Sequence, residues 1–220
     1  MLSKRLQAVA DIIPGGLRVI DVGADHGKLA AHLALTGRSV IAADLRREPL
    51  ERGRSYAESV GAAVDFRLGD GLSITQPSEV DAIVIAGMGG ETIAEILGAA
   101  TWSRDKLCVL QPASKAERLR RFCCENGYKI RKERVICDAG RWYPVLQTER
   151  GDCLKTSPGY HFISSALRLQ ATGDVLLYAD KTIKWLHSVL PSLRGDPRHA
   201  GLAEYYQCAL VEILEWRNGF

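Results

Sequence analysis

Short apolar runs alternate with helix-patterned stretches through residues 1–150, and this alternation limits the fold more than any other feature of the sequence. The segments LRVIDVG, SVIAADL, AVDFRLGD, DAIVIAGM and KLCVLQPA are near-continuous in Val, Ile, Ala and Leu. Strands with that composition bury both faces, which requires a parallel sheet with helices packed above and below it. A first helix is predicted from Leu2 to Ile13, ending at Pro14-Gly15-Gly16. Later helices follow each strand and close at Gly37, Gly61 and Gly127. YKIRKERVICDAG and RWYPVLQTER then read as a hairpin turning at Ala139-Gly140, which puts an antiparallel strand at the end of the sheet. The expectation is an α/β Rossmann-like sheet with an antiparallel final strand.

The pattern changes after residue 150. Gly151 to Gly159 is a break, and only helical periodicity follows. Leu176, Ala179, Ile183, Leu186 and Leu190 form one apolar seam; Leu202, Tyr206, Ala209, Ile213 and Trp216 form another. With Pro191, Gly195 and Pro197 between them, these read as a coiled-coil-like helical hairpin. The expected division is residues 1–152 as a catalytic domain and 153–220 as a helical domain.

Charge and cysteine usage narrow the setting. The net charge of +3 names no partner, but residues 115–134 hold eight Lys/Arg against three Glu. An anionic partner is expected near that segment. The six cysteines form no CxxC pair, so metal-ligand spacing is missing and free thiols are expected. The first residues lack an unbroken apolar stretch, and no run approaches the ~20 apolar residues that span a bilayer. A cytoplasmic protein without membrane or metal partners is expected.

In a doubly wound sheet, ligands bind beyond the carboxyl ends of the strands. After the first strand the sequence reads Asp21-Val22-Gly23-Ala24-Asp25-His26-Gly27. Asp44 ends the second strand, 21 residues beyond Gly23. A carboxylate there suits the two hydroxyls of a ribose, so the crevice suits an adenosine-containing cofactor. A nicotinamide dinucleotide wants GxGxxG around its pyrophosphate, and Asp25 stands where the second glycine should be. S-adenosyl-L-methionine carries no phosphate, and its sulfonium and amino groups are positive, so Asp21 and Asp25 are tolerated or helpful. Asp70-Gly71-Leu72 adds a carboxylate for the adenine amine and an apolar surface for its ring, although Asp-Gly is also a common turn. Ala86-Gly87-Met88-Gly89-Gly90 ends the fourth strand. It has no Asn/Asp-Pro-Pro-aromatic clamp for an exocyclic amine, and suits an acceptor that presents a lone pair. Gly89 and Gly90 face that acceptor, or serve only close packing.

These residues together resemble the bacterial tRNA (adenine 22-N1)-methyltransferase family. The likeness rests on Leu2-Ser3-Lys4-Arg5-Leu6, Asp21 to His26, Arg67 to Leu72, Ala86 to Gly90, Gln111-Pro112, Leu119-Arg120 and the Tyr143 hairpin. It implies a class I methyltransferase fold, S-adenosyl-L-methionine as donor, and N1 of an adenine in the tRNA D-arm region as acceptor. It also implies a tail that helps grip tRNA. The chain departs from the family at Gly27-Lys28, where a small residue and Tyr are frequent, and at Asp44, where Glu is frequent. On this reading Asp25, His26 and Arg5 are the candidate catalytic residues. Donor contacts fall to Asp21, Gly23, Asp44, Asp70, Gly71, Leu72, Ala86, Gly87 and Met88. Tyr143 or Trp142 stacks on the target base, and Arg120 and Arg121 lead the phosphate contacts. A monomer is expected. Two other readings remain open: a small-molecule methyltransferase of the same fold, and a non-catalytic cofactor-binding adaptor.

Overall fold

The computed structural model describes residues 2–153 and 155–220. The first helix, α1 (Lys4–Ile12), starts two residues later than expected, because the Ser3 hydroxyl accepts from the Leu6 amide at 3.3 Å and caps it. Strands β1 (Arg18–Val22), β2 (Ser39–Asp44), β3 (Asp65–Leu68), β4 (Ala82–Ala86) and β5 (Leu107–Gln111) are parallel. They are separated by α2 (Lys28–Leu35), α3 (Arg47–Ser59), α4 (Gly90–Ala99) and, after β5, α5 (Ala116–Glu125). The hairpin β6 (Tyr128–Asp138) and β7 (Arg141–Arg150) completes a seven-stranded sheet in the order β3-β2-β1-β4-β5-β7-β6. β7 lies antiparallel to β5, as the sequence required.

The two-residue period of the strands sorts the core into two layers. Ile20, Val22, Ile83, Ile85 and Leu110 face one side, where Ile93 and Leu97 of α4 and Leu119 of α5 cover them. Val19, Val40, Val84 and Val109 face the other, under Val9 of α1 and Leu29 and Leu33 of α2. The order reverses between β1 and β4, which opens the crevice expected above their carboxyl ends.

The tail holds two short helices, α6 (Pro158–Phe162) and α7 (Ser165–Gln170), before the hairpin of α8 (Gly173–Arg194) and α9 (Ala200–Arg217). The apolar seams face inward except at Leu176, whose place is taken by the buried Val175: Ala179, Leu186 and Leu190 meet Tyr206, Ala209 and Ile213 in a third core. Pro191 does not end α8 as expected. It lies inside the helix at the cost of one backbone bond, and the helix runs on to Arg194. Val135 of β6 and Trp142 of β7 join this third core, so the tail packs against the sheet's edge hairpin.

The expectation of six free thiols is corrected. β7 returns the chain past the end of α5 and brings Cys153 to Cys124, where they form a disulfide with Cα atoms 5.1 Å apart. Cys108, Cys123, Cys137 and Cys208 are free. Among the described residues, no helix is long and apolar enough to cross a membrane, and no cluster of three or more His, Cys, Asp or Glu could hold a metal ion.

Candidate active site

A cavity of about 1010 Å³ opens above the carboxyl ends of β1, β2 and β4. Every residue expected to touch a donor lines it: Asp21, Gly23, Asp44, Asp70, Gly71, Leu72, Ala86, Gly87 and Met88. Asp25, His26 and Arg5 line it too.

The loop after β1 gets its shape from three consecutive odd positions in left-handed backbone. Gly23 has φ +73°, Asp25 +45° and Gly27 +64°. Asp25 is thus the non-glycine member of a glycine-type turn, and Asp is among the few side chains that tolerate this region. A Cβ on Gly23 would collide with the Met88 methyl, so the two loops lie flush with one another. The Asp25 amide donates to Asp44 Oδ2 at 3.2 Å, and the Arg46 amide donates to Asp44 Oδ1 at 2.9 Å. These bonds fix the carboxylate at the end of β2. His26 Nε2 lies 3.5 Å from Asp25 Oδ2, with both side chains about half exposed at the mouth.

Asp21 is buried, and its Oδ2 has no hydrogen-bond partner within the chain. Burial, helped by the neighbouring Asp44 charge and opposed by the Ala30 amide, pushes its carboxyl up to about 7. An orphaned buried carboxylate oxygen on a cavity wall is a socket for a cation. The positive amino group of S-adenosyl-L-methionine suits Asp21, a ribose suits Asp44, and the cavity offers no phosphate cradle. The residues present therefore fit that group.

Other expected contacts fall elsewhere. Gly90 is buried, and a Cβ there would strike the backbone at Lys115; its amide donates to Ser114 O at 2.8 Å. Gly89 bridges to Ser114. Neither lines the cavity, so these glycines serve the close approach of α4 to the loop before α5. For Gly90, which is buried, the expectation that it binds the acceptor is corrected; Gly89 is half-buried, next to the cavity-lining Met88. Arg120 is corrected as well. It is 1% exposed, its guanidinium donates to Glu133 Oε1 at 2.6 and 3.0 Å and to His161 O at 3.0 Å, and it reaches the Tyr178 hydroxyl. It joins the sheet to the tail and has no surface to offer a phosphate.

The basic segment around it is largely cancelled by partners. Lys115 and Arg118 pair with Glu91, Arg121 with Glu125, and Lys129 and Arg131 with Glu149. Arg121 remains exposed but stands outside the cavity. Trp142 packs on Tyr178, 6.5 Å between ring centroids, inside the third core. Tyr143 does not line the cavity; the Arg5 guanidinium lies over its ring, 5.6 Å from the centroid. Sequence reasoning gave no role to Gln111, Thr92, Glu95 or Trp102. Gln111 holds Arg5, and the other three line the cavity on the α4 side. Only Gln111 carried a signal, as a polar residue closing an apolar strand.

A seven-stranded sheet with an antiparallel β7, an acid-ended β2 and no phosphate cradle defines the class I, Rossmann-like methyltransferases. The chain belongs to the methyltransferase-domain family, whose model matches residues 2–146. The likeness to the bacterial tRNA (adenine 22-N1)-methyltransferase family is borne out. The chain is 37% identical over 160 residues to the tRNA (adenine(22)-N(1))-methyltransferase of Bacillus subtilis, a match spanning 69% of this chain and 66% of that one. The crystal structure of the B. subtilis m1A22 tRNA methyltransferase superposes with a TM-score of 0.85 at 26% identity, covering 99% of each chain. A Streptococcus pneumoniae structure in complex with S-adenosyl-L-methionine gives 0.82 at 28% identity, covering 97% of this chain and 100% of that one.

Proposed function

We propose that this chain transfers a methyl group from S-adenosyl-L-methionine to N1 of an adenine in tRNA, adenine 22 of the D-arm region. The observation that carries the reading is the cavity above β1, β2 and β4, whose orphaned Asp21 oxygen and fixed Asp44 carboxylate match a cationic, phosphate-free nucleoside. Kinship to the B. subtilis enzyme supplies the acceptor.

The bound donor supplies a methyl group on a positively charged sulfur. Asp21 receives the amino group, Asp44 the ribose hydroxyls, and Asp70, Gly71 and Leu72 the adenine. Gly23, Ala86, Gly87 and Met88 form the wall between donor and acceptor. Adenine N1 is a neutral lone-pair nucleophile at pH 7, so no residue has to remove a proton before transfer. The chain's contribution is alignment and exclusion of water, and alignment alone supplies roughly 7–11 kcal/mol. The acceptor becomes cationic as the bond forms, and Asp25, with His26 beside it, stands at the mouth to stabilise that charge. N1 lies on the Watson–Crick edge, so the base must leave its pair to enter the site.

Action as a monomer belongs to this reading. Residues 1–152 act as the catalytic domain and 153–220 as a helical unit for holding RNA, in the cytoplasm where tRNA is found. A pseudo-enzyme reading would need a damaged pocket, yet Asp21, Gly23, Asp44 and Asp70 all stand in place. Nucleoside mass spectrometry of host tRNA with and without the protein tests the proposal. 1-Methyladenine should vanish from tRNA when the protein is absent; its persistence at wild-type level would reject the reading.

A further inference from the structure

We infer that Gln111 is a positioning residue that fixes the Arg5 guanidinium at the acceptor mouth, where Arg5 binds a phosphate oxygen of the nucleotide being methylated. The inference rests on the tRNA reading above. Gln111 ends β5 and is fully buried. Its Nε2 donates to Pro112 O at 2.7 Å. That bond turns Oε1 the opposite way, where it accepts from Arg5 Nη1. The Gln111 carbonyl accepts from the Gly87 amide at 3.0 Å, so the same residue holds the acceptor-facing backbone of the β4 loop.

Arg5 is constrained from three more directions. Its backbone amide donates to Asp138 Oδ2 at 3.2 Å. Its guanidinium lies over the Tyr143 ring. Gly87, at φ +86°, leaves it room, since a Cβ there would come within 3.3 Å of Nη1. A guanidinium carries five N–H donors, and the only side-chain bond Arg5 makes among the described residues is the one to Gln111. Arg5 itself lines the cavity.

The charge decides what they bind. Methylation at N1 makes the adenine cationic, so a guanidinium against the base would oppose the reaction. A phosphate oxygen neutralises Arg5 and matches its planar fork. The holder must then leave the positive charge intact. Gln111 does so because its amide oxygen is a neutral acceptor; a carboxylate at that position would satisfy Arg5 internally and remove it from RNA binding.

The test compares Arg5→Ala, Gln111→Met and the double variant of the full chain in steady-state methylation of tRNA, with calorimetry of S-adenosylhomocysteine. Arg5→Ala should raise KM for tRNA about tenfold, as loss of one charge-assisted hydrogen bond does. The loss should fall on KM more than on kcat, which makes Arg5 a substrate-binding residue and not the catalytic one the sequence suggested. The variant's salt dependence should fall by about one ion. Gln111→Met should raise KM in the same direction, and the double variant should be no worse than Arg5→Ala alone. S-adenosylhomocysteine affinity should be unchanged throughout. A wild type that methylates no adenine in tRNA overturns the functional reading and this inference with it. An active wild type in which the two losses multiply, or in which Gln111→Met weakens S-adenosylhomocysteine binding, overturns the inference alone and leaves Gln111 a structural residue.

Discussion

The loop after β1 and the basic stretch from α5 into β6 both look functional in the sequence, and the fold treats them oppositely. Asp21, Gly23, Asp25 and His26 converge with Asp44 and Asp70 on one cavity. Of the eight basic residues at 115–134, only Lys132 and Arg134 stand outside ion pairs among the described residues. The difference lies in what fixes position. Backbone geometry at the ends of parallel strands places the loop residues wherever the fold forms. A cation's role depends on whether a carboxylate from another element reaches it, and local sequence does not record that.

The widest separation between the two regions should appear in stability. Arg120→Met leaves Glu133 buried without its partner, with Glu133 Oε2 already unpaired. Removing one member of a buried pair costs about 3–5 kcal/mol. In a chain of this length that lowers Tm by about 2–4 °C for each kcal/mol. Scanning calorimetry should show this loss, and adding Glu133→Leu should recover most of it. Affinity for tRNA per folded molecule should not move. A loss of tRNA binding in a fully folded Arg120→Met variant would return Arg120 to the RNA face.

On the cavity side, Asp44→Ala removes an acceptor placed for two ribose hydroxyls. It should weaken S-adenosylhomocysteine binding about a hundredfold, at roughly 1.5–3 kcal/mol for each hydrogen bond to a charged group. Calorimetry reads this directly; an unchanged Kd would remove Asp44 from the donor site.

This contrast explains what was legible. The parallel sheet, the antiparallel final strand and the helical hairpin of α8 and α9 follow from periodicity, which survives without knowledge of tertiary partners; the strand order does not, because periodicity says nothing about which strands are neighbours. Asp21 and Asp44 were legible because they sit at strand ends. Gly90 was misassigned because a glycine's sequence position does not say which backbone approaches it, here that of Ser114 and Lys115. Arg120 finds its carboxylate 13 residues on, in the next element. Cys153 reaches Cys124 only because β7 runs antiparallel. Tyr143 supports Arg5 rather than entering the cavity, since Asp138 draws the start of α1 onto the hairpin.

Protonation of Asp21 gives a smaller, graded effect. With its carboxyl pushed up to about 7 by burial, the native state holds a proton that the unfolded chain gives up near the ordinary carboxylate value. Its stabilising contribution is therefore complete below that ordinary value and is lost as pH rises through about 7. A cationic amino group needs the ionised form, so ligand affinity runs the other way. S-adenosylhomocysteine binding should weaken up to about tenfold per pH unit below 7. Asp21→Asn should flatten both profiles. A pH-independent Kd between 5 and 8 in the parent protein would show that Asp21 does not receive the amino group.

The smallest effect tests the two unpaired cations against their paired neighbours. Lys132 and Arg134 are exposed on the edge strand β6, and each should contribute one screened phosphate contact. Charge reversal at both should weaken tRNA binding several-fold at low salt and lower the salt dependence by about one ion per residue. Reversal at Lys129 and Arg131 breaks pairs with Glu149 at the surface. Such pairs are worth about 0–1 kcal/mol, so stability should hardly change. The binding loss should also be smaller, because those charges are already partly neutralised. Filter binding at two salt concentrations separates the cases. Equal losses for the two sets would mean that ion pairing does not decide which cations reach RNA. The segment would then act through its summed charge, and the difference between the loop and the basic stretch would be one of degree.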